Sequence, residues 1–299
     1  MKKTKNITES QNINSIDIDT KNISDIVKIF NDDNKDIING ISNSLDDIKD
    51  VVDITLQSLL NGGRLFYVGA GTSGRLGVLD AAECKPTFSV DDDMVQGIIA
   101  GGEKALSESI EGAEDKIDGV DEIINIKRIS SNDVVIGISC SGGAPFVLEF
   151  LKQSKAAKAE TVLITFNDIE EEEYINKTLK VFVGPEIISG STRMKSGTAT
   201  KMILNMISTI TMIKLNKTYG NYMVDLKVVN KKLLLRAVNI IKSLTGASSD
   251  EAEELVSRSK GKVKNALIMK KIGVSYLESI ELIKKFDGSL RSIINEHAK

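Results

Sequence analysis

The sequence predicts an α/β fold. A five-stranded parallel sheet, doubly wound with helices on both faces, is joined to an N-terminal helical arm and a small C-terminal helical domain. Three observations predict it. Five short apolar runs, at 64–69, 94–100, 133–139, 161–166 and 180–183, are mostly β-branched and bounded by Gly, Asp, Asn or Pro. Such runs read as strands buried on both faces. Amphipathic segments lie between them, and strand–helix alternation implies parallel strands joined by crossovers. Before and after this core, the apolar spacing is helical only.

In chain order, residues 1–20 are polar and Asn-rich and read as an arm. From Asn22 to Leu60, apolar residues such as Ile26, Phe30, Ile37, Ile41, Ile48, Val52 and Leu59 recur at three- and four-residue steps. This predicts amphipathic helix ending at Asn61-Gly62-Gly63. The predicted crossovers are helical at 73–84, at 103–126 with a break at Gly112, and at 145–157. The fourth, around 169–178, is short and acidic. A long helix is expected over 191–216. Its stripe of Met202, Ile203, Met206, Ile207, Ile210 and Ile213 reads as core or dimer contact rather than a cofactor box. Residues 223–299 lack strand signals and predict four or five helices punctuated at Gly246, Gly261, Gly273 and Gly288. The expected domains are 1–54 (arm and helices), 55–222 (sheet) and 223–299 (helices).

Composition narrows the function. The 39 basic and 42 acidic residues nearly cancel, to a net charge of −3, so no nucleic-acid field is expected. The N-terminal stretch has no apolar core of the kind a secretory signal needs, and no apolar run reaches membrane-spanning length, so a cytoplasmic protein with no membrane partner is expected. Cys84 and Cys140 are then expected to stay reduced, and neither has metal-ligand spacing. His297 is the single histidine and lies near the C-terminus. A Ser-His-Asp triad or a His-ligated metal is therefore not expected, and acid–base chemistry falls to Glu, Asp, Lys or Tyr.

Three loops after strands carry small hydroxylated residues beside a helix start. They are Gly69-Ala70-Gly71-Thr72-Ser73-Gly74, Ser139-Cys140-Ser141-Gly142-Gly143 and Ser189-Gly190-Ser191-Thr192-Arg193-Met194-Lys195. Each joins backbone N–H groups, hydroxyls and a helix N-terminus, a combination that suits an anion. With strand order 2-1-3-4-5, the first two loops face each other across the switch point of the sheet. The first loop contains G-x-G-x-x-G, which also opens dinucleotide sites. A ribose-binding acid should end the second strand, whereas Asp91-Asp92-Asp93 precedes it. The side chains of Thr72 and Ser73 can contact a phosphate directly.

The stretches GRLFYVGAGTSGRLGVLDAAECKPTF (63–88), GIIAGGEKALSESIEGAED (97–115), GPEIISGSTRMKSGTATKMILNMIST (184–209) and YGNYMVD (219–225) resemble the N-acetylmuramic acid 6-phosphate etherases, of the sugar isomerase (SIS) fold. The similarity runs from about Thr8 into the C-terminal helices. The resemblance implies cleavage of the D-lactyl ether at C3 of the 6-phosphosugar, giving N-acetylglucosamine 6-phosphate and D-lactate, in recycling of cell-wall amino sugars. It implies elimination followed by hydration, with no metal or organic cofactor, in a homodimer. The family's two catalytic carboxylates map onto Glu83 and Glu114. The binding residues it implies are Gly71, Thr72, Ser73, Ser139, Ser141, Gly142, Glu186, Ser189, Ser191, Thr192, Arg193 and Lys195.

Glu83 is expected in the last turn of its helix, ended by Pro86, where the negative end of the dipole favours a protonated acid for the departing lactate. Glu114 is expected to start a new helix after Gly112, where the dipole favours an anionic base for the C2 proton. Two departures from the family pattern stand out. The second loop, usually S-x-S-G-R-T-P, has Gly143 and Ala144 in place of Arg and Thr. Losing that guanidinium and hydroxyl should weaken anion binding by roughly 1–3 kcal/mol unless other groups compensate. The arm, usually T-E-x-R-N-P, keeps Thr8, Glu9 and Asn12 but has Gln11 and Ile13 for Arg and Pro. Loop and arm have lost cationic character together, which suggests a shared site with the arm crossing to the other protomer. Two other readings stay open on the sequence: a non-catalytic phosphosugar-binding regulator, and another SIS-fold isomerase or lyase.

Overall fold

The computed structural model describes residues 6–226, 228 and 230–297. The first five residues of the expected arm lie outside the described residues. The five expected strands form one parallel sheet: β1 (Leu65–Gly69), β2 (Val95–Ile99), β3 (Val134–Ile138), β4 (Glu160–Thr165) and β5 (Lys177–Lys180), in the order β2-β1-β3-β4-β5. Leu65 is in register with Val95 on one side and Val134 on the other. The chain therefore reverses direction across the sheet between β1 and β3, which opens a crevice beyond their carboxyl ends. Every residue of β1 and β3 is buried, so alternation is absent and continuous apolar runs appear instead.

The expected helix over 22–60 is three helices: α1 (Ile23–Asp33), α2 (Lys35–Ser42) and α3 (Leu45–Leu60). Ser44 shows one reason for the break before α3. Its hydroxyl donates to Gly40 O and to Lys180 O on the edge strand, so the side chain ties the turn to the sheet. Helix α4 (Gly71–Phe88) follows β1 and packs closely on β2; a Cβ on Gly97 would lie 2.5 Å from Val78 Cα. The segment expected as helix at 103–126 is mostly irregular. It holds two short 3-10 turns, at Glu103–Leu106 and Ala113–Asp115, and only then α5 (Val120–Lys127). Gly102, Gly112 and Gly119 all take positive φ, which interrupts helical propagation.

Helix α6 (Pro145–Ala156) covers the same face, with Phe146, Val147, Phe150 and Leu151 packed on Phe66, Val68 and Val135. The fourth crossover has no helix, and β5 begins three residues before the run at 180–183. Beyond Lys180 the backbone turns toward α2, where a Cβ on Gly40 would lie 2.5 Å from Phe182 O. The run 181–183 is thus buried packing at Val181 and Val183 rather than ladder. The long helix, α7, spans Lys195–Lys214, four residues shorter at its start than expected. In its stripe Ile203 and Ile207 are buried, as core rather than free surface.

Two compact units result: residues up to Ala82 together with Asp92–Ser208, and Glu83–Asp91 together with the chain from Thr209. Among the described residues, the second unit holds, besides the ends of α4 and α7, the helices α8 (Lys231–Thr245), α9 (Ser249–Arg258), α10 (Val263–Ile272), α11 (Tyr276–Lys285) and α12 (Leu290–His297). Gly246, Gly261, Gly273 and Gly288 punctuate them as expected, all at positive φ. A short hairpin at Thr218–Tyr219 and Tyr222–Met223 precedes them, which the apolar pattern does not announce. Its core gathers Val238, Ile241, Leu255, Leu267, Leu290 and Ile293. Lys264 stitches the unit together, donating to Asn216 O and Gly288 O and pairing with Asp225 at 2.7 Å. Burial pulls its ammonium below the usual lysine range, and Asp225 opposes that shift. No helix among the described residues is long and apolar enough to cross a membrane.

Candidate functional site

The first loop explains its own glycines. A Cβ on Gly69 would lie 2.6 Å from Gly74 N, and one on Gly74 would lie 2.6 Å from Gly69 O. Strand end and helix start therefore touch backbone to backbone, which only glycine permits. Gly71 turns the chain at φ +53° into open space. The G-x-G-x-x-G spacing is thus a requirement of this tight β1–α4 junction, with no dinucleotide needed to account for it. Thr72 is half-buried, and Ser73 is buried with its Oγ 3.7 Å from Cys140 Sγ on the second loop.

The second loop leaves β3 and enters α6 at Pro145. The Oγ of Ser139 and that of Ser141 lie 3.4 Å apart. Ser141 Oγ accepts from Gly143 N at 3.2 Å, and Ser139 Oγ accepts from Ala144 N at 3.2 Å. Gly142, at φ +78°, closes the turn by donating to Ser139 O. No side chain caps α6, and its first position is a proline, so its positive end is left for whatever sits above the loop. A hydroxyl can rotate from acceptor to donor. An arriving anion can therefore take the Gly143 and Ala144 N–H groups and be met by the two serine hydroxyls as well.

The third loop approaches the other two through Thr192. The thiol of Cys140 is pushed up by burial, against hydrogen bonding from Ser73 and from Thr192. Side chains from all three loops thus meet at Cys140. Gly197 is also close to the first loop; a Cβ there would lie 3.4 Å from Thr72 Cγ2.

Two expected binding residues are committed elsewhere. Glu186 is fully buried; its Oε2 accepts from Lys195 N, and its Oε1 accepts from Ser196 N and Ser196 Oγ, all within 2.9 Å. Its carboxylate already occupies the positive end of α7, so that helix does not offer it to a ligand. Lys195 is buried with its ammonium 3.0 Å from Asp33 and 3.3 Å from Asp36. It holds the N-terminal helices to the sheet domain rather than facing the loops. Arg193 is exposed and forms no ion pair or side-chain hydrogen bond among the described residues. Ser189 is exposed, and Ser191 is half-exposed.

The arm docks against its own chain along the approach to the third loop. Asn12 donates to Asp33 and to Pro185 O, Ser15 Oγ donates to Ile187 O, and Gly190 N donates to Thr8 O. Glu9 lies against Gly190, where a Cβ would be 2.8 Å from Glu9 Oε2. Asn167, just after β4, joins the arm to the second loop. The arm thus docks on its own chain rather than crossing to another protomer, and it meets the second loop through Thr8 and Asn167 rather than through the altered positions 11 and 13. Asn167 escapes sequence reasoning because no motif contains it. The available signal was its place at the carboxyl end of a strand, level with the loops already singled out.

Of the two candidate catalytic carboxylates, Glu83 is exposed on α4, and Glu114 is exposed in the 3-10 turn after Gly112. The expected helix-dipole division of labour does not arise. Pro86 lies inside α4, so Glu83 stands five residues before the helix end. Glu114 sits in a three-residue turn that has no macrodipole to speak of. Beneath α4, Asp80 is buried and accepts from Asn205 Nδ2 at 2.6 Å. Burial pushes its carboxyl above the usual range, against hydrogen bonds from Ser208, Asn205 and Tyr67.

Comparison with known proteins bears on the whole chain. Residues 47–155 match the glucokinase regulatory protein N-terminal SIS domain, and residues 220–275 match the C-terminal lid domain of glucokinase regulatory protein. An N-acetylmuramic acid 6-phosphate etherase of Bacillus licheniformis is 45% identical over 98% of this chain and 96% of its own length. Etherases of Clostridium acetobutylicum (43% identical, 98% of this chain, 97% of that protein) and Trichodesmium erythraeum (44%, 96% and 94%) are similar to the same extent. End-to-end similarity at this level identifies the chain as a member of the N-acetylmuramic acid 6-phosphate etherase family.

Proposed function

We infer that the protein is an N-acetylmuramic acid 6-phosphate etherase, a carbon–oxygen lyase that releases D-lactate and N-acetylglucosamine 6-phosphate. The observation that carries this is the similarity of 42–46% to etherases along almost the entire chain. The substrate's phosphate binds over the first two loops. There the first turn of α4, the uncapped positive end of α6, the N–H groups of Gly143 and Ala144, and the hydroxyls of Thr72, Ser73, Ser139 and Ser141 are available to it. Arg193 supplies the cation that the second loop lacks at position 143. With the sugar in its open-chain form, the aldehyde acidifies the C2 proton. Glu114 removes that proton, the C3–O bond breaks, and Glu83 protonates the departing lactate oxygen. Water then adds at C3 of the unsaturated aldehyde, and the sugar recloses.

We place the working protein in a homodimer, the state its resemblance to the etherases implies. Exposed apolar side chains at Ile23, Val27 and Phe30 of α1 and Ile38 of α2 give such a dimer a surface to cover.

The test is D-lactate release from N-acetylmuramic acid 6-phosphate by the purified protein, run in labelled water. Lactate with solvent oxygen at C3 of the sugar supports elimination and hydration. Phosphosugar binding without lactate would make the protein a regulator instead. Glu83→Gln and Glu114→Gln are each expected to slow release by about 10²–10⁴-fold. Mixing Glu83→Gln with Glu114→Gln protomers should restore part of the activity if the two carboxylates of one site come from different subunits; no restoration would place both on one chain.

A further inference from the structure

We propose that Asn167 is a positioning residue for the substrate phosphate, acting through the Cys140–Ser141 peptide of the second loop and tying that loop to the N-terminal arm. This rests on the assignment of residues 139–145 as a phosphate loop. Asn167 is 2% exposed, and its amide is fully used. Its Oδ1 accepts from Ile7 N at 2.6 Å and Thr8 N at 3.2 Å; its Nδ2 donates to Thr8 Oγ1 at 3.0 Å and to Cys140 O at 3.1 Å. Two acceptors and two donors exhaust an amide, so no ordinary substitute reproduces the set.

The consequence for the anion follows from peptide geometry. In a trans peptide the carbonyl and the next N–H point in opposite directions. The Cys140 carbonyl is drawn inward by Asn167, by Thr165 Oγ1 at 3.2 Å and by Phe166 N at 3.1 Å. The N–H of Ser141 is thereby turned outward, on an exposed residue, and it makes no hydrogen bond among the described residues. It is a donor held ready on the ligand side of the loop. With glycine and alanine at positions 143 and 144, this loop has no guanidinium of its own, so backbone donors carry more of the binding. Aim therefore matters more here than where an arginine can adapt to the anion.

Asn167→Asp tests this. It keeps an acceptor for Ile7 and Thr8 but sets a carboxylate oxygen against Cys140 O, which tilts the peptide. Steady-state kinetics, competitive inhibition by inorganic phosphate and the thermal midpoint are measured together. The expected result is a rise of about tenfold in both KM and the phosphate inhibition constant, the scale of one lost hydrogen bond. The kcat should stay within about twofold, because the reacting carboxylates are untouched. Thr8→Val, which removes only the hydroxyl that Asn167 bonds in the arm, should move KM in the same direction by less, and it keeps the proposal testable if Asn167→Asp folds poorly. Ser141→Ala separates the two levels of the argument. If Ser141→Ala weakens phosphate while Asn167→Asp and Thr8→Val do not, the positioning role is overturned and the loop assignment stands. A lower midpoint with unchanged phosphate affinity overturns it likewise. If Ser141→Ala also leaves phosphate affinity unchanged, the loop assignment fails and the positioning role fails with it.

Discussion

The second and third loops look alike on paper: serines, a glycine at positive φ and a long helix directly after. In the folded chain they do different things. The second loop stands before a helix that no side chain caps, and its two serine hydroxyls accept from the N–H groups of Gly143 and Ala144. The third loop stands before a helix whose positive end is filled by the buried carboxylate of Glu186, and its lysine is paired with Asp33 and Asp36. Hydroxyls and glycine before a helix mark a possible anion site. Whether it is open depends on a carboxylate that can arrive from nine residues upstream or a hundred and sixty.

Substitutions can break or sharpen this contrast. The largest effect is expected at Lys195→Met. It leaves the buried Asp33 carboxylate without its ammonium, a loss of about 3–5 kcal/mol in stability by denaturant titration. Affinity for inorganic phosphate should hardly change in the fraction that folds. A KM effect without a stability effect would return Lys195 to the binding site. Next comes Glu186→Gln, which replaces a carboxylate accepting three hydrogen bonds and should cost about 2–3 kcal/mol. Stability preserved, with weakened substrate binding, would show that Glu186 faces the ligand after all.

The opposite pattern is expected at Arg193→Ala and Ser141→Ala. Phosphosugar affinity should fall about five- to tenfold, as for one lost charged or neutral hydrogen bond, with stability within about 0.5 kcal/mol of the parent. The smallest effect is expected at Asp80, which joins α4 to α7 through Asn205 and Ser208. Its folded-state carboxyl is raised above the ordinary range, chiefly by burial, so the folded protein holds this proton more tightly than the unfolded chain. The stability it contributes is present at low pH and is lost as pH rises through the raised value. Asp80→Asn lacks that loss. The thermal midpoint of Asp80→Asn minus that of the parent should rise as pH increases above the ordinary carboxylate range, about pH 4, and a difference that falls instead would refute the sign.

Much of this arrangement was legible in the sequence, for identifiable reasons. Buried parallel strands need unbroken apolar runs, and four of the five runs fell on their strands. Gly69, Gly71 and Gly74 marked a backbone contact that no other residue allows, and the strand order placed the first two loops together. The illegible parts share a cause as well. The run at 180–183 is apolar because it packs on Gly40, not because it pairs, and a periodicity cannot separate those cases. The helix expected at 103–126 fails at three glycines whose positive φ depends on the fold around them. Asn167 and Thr8 lie 159 residues apart and meet only in three dimensions.

The sequence by itself determined the α/β class, the three candidate loops and, by resemblance, the etherase family. Local spacing and backbone sterics suffice for that. Only the tertiary structure decided which helix ends stay open, that Lys195 pairs with Asp33 and Asp36 while Glu186 caps α7, and that the arm meets the second loop through one amide. A charged or polar group does what its nearest partner lets it do, and those partners are set by chain packing rather than by neighbours in the sequence.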